Sequence, residues 1–108
     1  ADEQDSLFLC NLRALVKAAE SRGKIAALTE TGLNHYTDTT WFTNRLLKPI
    51  KNDSLAKHIA YIMVWRNQST QFYNTPFPGS PLEENFIRFK QDSLIVFLDR
   101  IPALYDKN

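Results

Sequence analysis

A carboxylate and an indole–guanidinium pair each stand where a short apolar run gives out. Glu30 follows Ile25-Ala26-Ala27-Leu28 within Thr29-Glu30-Thr31-Gly32, and Trp65-Arg66 follows Ile59-Ala60-Tyr61-Ile62-Met63-Val64. Apolar runs of this length, bounded by turn residues, read as strands. In a parallel sheet the C-terminal ends of both strands open on one side, so Glu30 and Trp65-Arg66 would face a common site. A sugar suits that set: its C–H face stacks on indole, its hydroxyls pair with arginine, and its anomeric carbon is open to attack by a carboxylate. Taken singly, none of the three is diagnostic. Glu30 reads equally as a solvated loop carboxylate or the cap of the next helix, Trp65 as core and Arg66 as a surface charge.

The elements that must hold these residues alternate in type. Asp5 or Ser6 can cap a first helix with Phe8, Leu12, Leu15, Val16 and Ala19 on one stripe, and Gly23 is placed to end it. The strand Lys24 to Leu28 is apolar on successive residues, as a strand covered on both faces should be. Gly32 to Thr37 reads as a loop and Asp38 as a cap. Trp41, Phe42 and Leu46 form the inner face of a second helix that Pro49 should end or kink near residues 45–48. The second strand, with His58 at its polar start and Met63 as core, runs to Val64. Residues 68–80 form a long loop carrying Phe72, Tyr73, Pro76, Phe77, Pro78 and Gly79, of the length usual for binding loops. Its aromatic rings either pin the loop or wall a cleft. Ser80-Pro81-Leu82-Glu83 carries the capping-box pattern for a third helix with Phe86 and Phe89 inward. Asp92 is placed to cap a last helix with Leu94, Phe97, Leu98 and Ile101 on its apolar face.

Helix, strand, helix, strand, helix, helix is the order of a right-handed parallel unit. Two strands cannot bury both their faces and both their edges. The 108 residues therefore read as a single partial domain, an α/β chain completed by further strands. A net charge of +1 with scattered basic residues carries no footprint for nucleic acid. No apolar stretch reaches the roughly 20 residues of a membrane-spanning helix, and no signal segment opens the chain. Cys10 cannot pair within the chain and reads as a small core residue. With His35 and His58 as its histidines the sequence offers no zinc-type cluster and calls for no cofactor. Asn52-Asp53-Ser54 and Asn67-Gln68-Ser69 match the glycosylation triplet, a pattern frequent by chance.

Leu28-Thr29-Glu30-Thr31-Gly32, the strand end Tyr61-Ile62-Met63-Val64-Trp65-Arg66-Asn67, and the loop Tyr73-Asn74-Thr75-Pro76-Phe77-Pro78-Gly79 before a Phe-rich helix together resemble the C-terminal part of glycoside hydrolase family 26. Its best-known members are endo-β-1,4-mannanases. The resemblance implies the last two strands of a (β/α)₈ TIM barrel, with residues 24–29 as the seventh and 58–64 as the eighth. It implies Glu30 as the nucleophile of a retaining mechanism, Trp65 as the platform beneath the sugar at the cleavage point, and Arg66 as a contact to the neighbouring sugar. His35 would border a more distant subsite, and Phe77 belongs to the cleft in the same reading. The substrate implied is β-mannan or a related polysaccharide, and the location secreted, periplasmic or cell-surface. Retaining hydrolysis also needs an acid/base carboxyl about 5–5.5 Å from the nucleophile. In this family that residue belongs to an earlier strand, among those missing from this chain and supplied by the same protein or an associated one. β-1,3-Xylan and mixed-linkage glucan hydrolases share these strand-end residues, and a non-catalytic carbohydrate-binding module would keep the aromatic and the arginine.

Overall fold

The computed structural model describes residues 2–33 and 37–102. Helix α1, Asp2–Ser21, leads to strand β1, Leu28–Thr31. A π-helix, Trp41–Leu47, continues into α2, Lys48–Asn52, and a 3₁₀ turn, Ala56–His58, precedes strand β2, Ile62–Val64. Helix α3, Glu83–Gln91, and a 3₁₀ turn, Leu98–Arg100, complete the described chain.

Strands β1 and β2 pair in parallel, Leu28 opposite Ile62 and Thr31 opposite Val64, with an irregularity between the two pairs. Among the described residues the sheet has these two strands and does not close. Pairing starts before the regular strands: Ala60 N–H donates to Ala26 C=O at 2.7 Å and Leu28 N–H to Tyr61 C=O at 3.0 Å. Strand β2 is shorter than its apolar run, while β1 is as long as its run but shifted towards the carboxylate, so Glu30 is within it. The chain is a partial TIM barrel: two parallel strands and three α-helices around an open sheet. Its radius of gyration, 15.1 Å, exceeds the roughly 13 Å of a compact domain of this length, as an unclosed layer should.

The core lies between the sheet and the helices. Leu12 of α1, Trp41, Phe42, Leu46 and Leu47 of the π-helix, Ile50, Ala56, Leu82 and Phe89 are buried in one cluster, and Ile62 and Val64 pack against it. Phe42 is fully buried, edge-on to Trp41 at 5.0 Å and to Phe86 at 4.9 Å between centroids. Alternation along β2 puts Tyr61, Met63 and Trp65 on the opposite face, where each is about half exposed. One face of the sheet is covered by this chain's helices and the other is open, so Met63 is not core here.

Several local expectations change. Gly23, at φ +65°, ends α1 with Lys24 N–H on Ala19 C=O and Gly23 N–H on Glu20 C=O, the glycine-terminated pattern read from the sequence. Cys10, expected in the core, is exposed, because the buried stripe of α1 is set by Leu12 and Val16. At Pro49, where an end or a kink is expected near 45–48, the winding changes type between Leu47 and Lys48 but does not stop. The preceding turns widen, Lys48 N–H reaching back five residues to Thr43 C=O, and Pro49 falls in the first turn of α2, where its missing N–H costs nothing. His58 lies in the 3₁₀ turn rather than a strand and meets Glu20 at 2.8 Å. Asp38 bonds the Thr40 N–H and hydroxyl, two residues ahead of it, without capping the helix.

At α3 the Ser80 hydroxyl is buried without a partner among the described residues, and its carbonyl accepts the Glu83 N–H instead. Glu83 reaches back to the Gly79 N–H at 2.9 Å. The last expected helix does not form: Asp92 bonds the Leu94 N–H and Lys51, and only a 3₁₀ turn follows, with Leu98 86% exposed.

Candidate functional site

The open end of the two-stranded sheet carries the residues of interest. Glu30 is the third residue of β1 and the single non-glycine with positive φ among the described residues, at +56°. Such a conformation is disfavoured for a residue with a β-carbon and concentrates at functional sites, where the surroundings impose it. Here it falls in the irregular step of the ladder. Its side chain is exposed and has no hydrogen-bond partner among the described residues.

Directly after that step, Trp65 N–H donates to Thr31 C=O at 2.8 Å. Trp65, one residue past β2, is thereby tied to the residue that follows Glu30. Both strands therefore deliver their last residues to the same end of the sheet, as parallel pairing requires. Trp65 is 48% exposed on the open face.

Beyond Trp65 the loop folds back on itself through asparagine side chains. Asn67 Oδ1 accepts the Asn74 and Thr75 N–H groups, each at 2.8 Å, and Asn67 Nδ2 donates to Thr75 C=O at 2.9 Å. Asn74 Nδ2 donates to Arg66 C=O at 2.9 Å, and Gln68 N–H to Phe72 C=O at 2.8 Å. The loop borders a cavity of about 130 Å³ lined by Leu33, Trp65, Arg66, Gln68, Phe72, Tyr73 and Asn74. The cavity is the corner of a cleft rather than a complete ligand pocket, which takes about 300 Å³ or more.

Of the residues singled out from the sequence, Glu30, Trp65 and Arg66 come together at one sheet end, and Trp65 and Arg66 line the cavity. Phe77 stands behind it, its ring edge-on to Tyr73 at 4.9 Å, while Phe72 and Tyr73 are in the wall. His35 lies outside the described residues. Nothing in the sequence singles out Asn74. Asn67 closes the functional-looking run Trp65-Arg66-Asn67, and its amide is engaged inside the loop.

Asp38, further along the chain after β1, is held below the ordinary aspartate value, first by the Thr40 N–H and then by the Thr40 hydroxyl. That fixes it as a structural anion. No group of three or more histidine, cysteine, aspartate or glutamate side chains among the described residues could hold a metal ion. No helix among them is long and apolar enough to cross a membrane.

No protein-family model matches the sequence. The structure, in contrast, has close counterparts. It is similar to a modular endo-β-1,4-mannanase from Cellulomonas fimi, of glycoside hydrolase family 26, at 29% identity and a TM-score of 0.83 over 94% of this chain and 24% of that one. A family 26 β-mannanase from Bacteroides ovatus aligns at 31% identity and a TM-score of 0.73, over 87% of this chain and 28% of that one. The catalytic domain of a Bacillus sp. family 26 endo-β-1,4-mannanase aligns at 29% identity and 0.74, over 92% and 29%. The chain thus spans about a quarter of the length of the chains it matches. Over nearly all of its described length, it has the fold of one part of a glycoside hydrolase family 26 mannanase.

Proposed function

We propose that this chain is the C-terminal part of the catalytic barrel of a retaining endo-β-1,4-mannanase, carrying the nucleophile but not the acid/base. All 108 residues belong to one partial domain in this reading. The observation that carries it is Glu30: a carboxylate held at φ +56° in the irregular last step of a parallel strand, next in the ladder to the Trp65 backbone. A solvated loop glutamate has no need of that strained backbone, whereas a group aimed at a reacting carbon does.

In the first step a Glu30 carboxylate oxygen bonds to the anomeric carbon of the bound mannosyl unit as the bond to the departing sugar oxygen breaks. That oxygen takes a proton from the acid/base carboxyl, about 5–5.5 Å from the nucleophile, on a strand outside this chain. Water then attacks the ester at the same carbon, gives its proton to the acid/base group and frees Glu30. Trp65 supplies an apolar plane under the ring, and the Arg66 guanidinium donates to hydroxyls of the adjoining sugar. Phe77 backs the aromatic wall through Tyr73, and the family resemblance assigns His35 to a more distant subsite.

The open sheet face bearing Tyr61, Met63 and Trp65 is the interior that the remaining parallel strands cover, whether they come from the same polypeptide or an associated one. A polysaccharide substrate places the enzyme outside the cell, in the periplasm or at the cell surface. Hydrolysis of β-mannan, β-1,3-xylan and mixed-linkage glucan by the complete protein tests the substrate. Glu30→Gln tests the role, with turnover lost and sugar binding kept. Unchanged turnover of that variant reduces Glu30 to a loop carboxylate, and binding without turnover by the parent leaves a carbohydrate-binding module.

A further inference from the structure

Asn74 lies where the two strand-end segments meet. A β-carbon placed on Gly32 would stand 2.0 Å from Asn74 Oδ1 and 2.9 Å from its Cγ. A side chain at residue 32 would have to displace the Asn74 amide, so the glycine and the amide over it fit together. The other end of the same amide donates to the Arg66 carbonyl at 2.9 Å, and the Asn74 backbone N–H is held by Asn67. One side chain therefore touches both arms of the site: the segment two residues beyond Glu30 and the residue next to Trp65. Leu33, Trp65, Arg66 and Asn74 share the cavity wall.

The ladder cannot set this spacing by itself. The last sheet bond described runs from Trp65 N–H to Thr31 C=O, and the step before it is irregular at the very residue that must be aimed. A left-handed residue in a strand persists only where its neighbours are fixed on both sides. On the N-terminal side the fixing is the Leu28 pairing, and on the C-terminal side it is the contact of Gly32 with Asn74.

We propose that Asn74 is a positioning residue that sets the distance between the Glu30 carboxylate and the Trp65–Arg66 platform through its contact with Gly32. The role rests on the reading of Glu30 as nucleophile. It acts on the reacting geometry rather than on sugar affinity, and so belongs to kcat.

Gly32→Ala, Asn74→Gly and the double variant, made in the complete protein and assayed on manno-oligosaccharides, test it. Gly32→Ala is expected to lower kcat about a hundredfold, the cost of a misplacement of ~1 Å, with KM changed less than about threefold. The double variant should recover to the level of Asn74→Gly alone, because the new methyl occupies the space the amide leaves. Losses that multiply in the double variant, or an unchanged kcat in Gly32→Ala, overturn the proposal. If the parent cleaves no mannan, the functional reading fails and the tie is read separately: Asn74→Gly should speed amide exchange at Trp65 about tenfold or more. Unchanged exchange there removes the tie as well.

Discussion

Replacing Asn85 by alanine is expected to cost about 2–4 kcal/mol of stability, a large share of the roughly 5–15 kcal/mol of an ordinary domain. The figure follows from how the π-helix starts. The N–H groups of its first turn have no carbonyl partner within Trp41–Leu47. Trp41 N–H reaches Asp38 C=O and Asn44 N–H reaches Thr40 C=O, while Phe42 and Thr43 both donate to Asn85 Oδ1, at 3.0 and 3.3 Å. Asn85 Nδ2 closes the arrangement by donating to Thr43 Oγ1 at 2.7 Å. Truncation removes the Asn85 acceptor from the buried Phe42 N–H for about 1–3 kcal/mol, weakens the half-buried Thr43 N–H for less, and removes one side-chain bond worth about 1 kcal/mol. Thr43→Val removes that last bond together with the longer contacts of the Thr43 hydroxyl to Thr40 C=O at 3.4 Å and Asn44 Oδ1 at 3.5 Å, and should cost about 1 kcal/mol. Asn85→Asp keeps both acceptor bonds, and the Thr43 hydroxyl can turn to donate, so it should fall below the alanine variant at neutral pH. Urea unfolding of the complete protein measures all three, and hydrogen exchange at Phe42 and Thr43 locates the change. A cost for Asn85→Ala no greater than that of Thr43→Val would refute the assignment of those two donors to Asn85.

Other expectations are direct. Phe42→Ala, at the centre of the ring cluster with Trp41, Phe86 and Phe89, should destabilise by about 3–5 kcal/mol in the same unfolding assay. Three aspartates sit below their ordinary value of 3.8: Asp38 through the Thr40 N–H, Asp53 through the Ala56 N–H, and Asp92 through the Lys51 ammonium. A depressed folded value means the charged form favours the fold, so this stability is present above the ordinary value and lost as pH falls below it. Thermal unfolding should show a midpoint that drops below about pH 4, less steeply in Asp92→Asn, and an unchanged slope in that variant counts against the Lys51 contact. The 108-residue chain alone should not hydrolyse mannan, and amide protection in residues 25–28 and 59–64 should be weak until the missing strands are supplied. Strong protection in the isolated chain would show that the open sheet needs no cover.

The parallel pair and the placement of Glu30 and Trp65 at one end of it could be read from the sequence, because two apolar runs ending in polar residues on either side of a helix leave few topologies. The stop at Gly23 and the burial of Trp41 and Phe42 follow from equally local chemistry. The failures have physical causes. The apolar side chain of Ile25 places it in the first strand by sequence, yet it is 80% exposed and Ala26 is the buried member of the pair. Pro49 signals a helix end or kink near 45–48, and the winding changes there from the widened turns of Trp41–Leu47 to α2 without stopping. The last segment was given a helical period, whereas Ile95 and Phe97 face the core and Leu94, Val96 and Leu98 do not, an alternation of two. Asn67 and Asn74 carry no periodicity and no charge, so only coordinates reveal that they fold the loop against Gly32.

Covalent trapping tests the account at its centre. The complete protein is treated with a 2-deoxy-2-fluoro mannoside bearing a good leaving group, digested, and its peptides weighed. One added glycosyl mass is expected on the peptide containing Glu30 and nowhere else, absent in Glu30→Gln. A label on any other carboxylate, or release of product with inverted anomeric configuration and no trapped ester, would contradict Glu30 as the nucleophile.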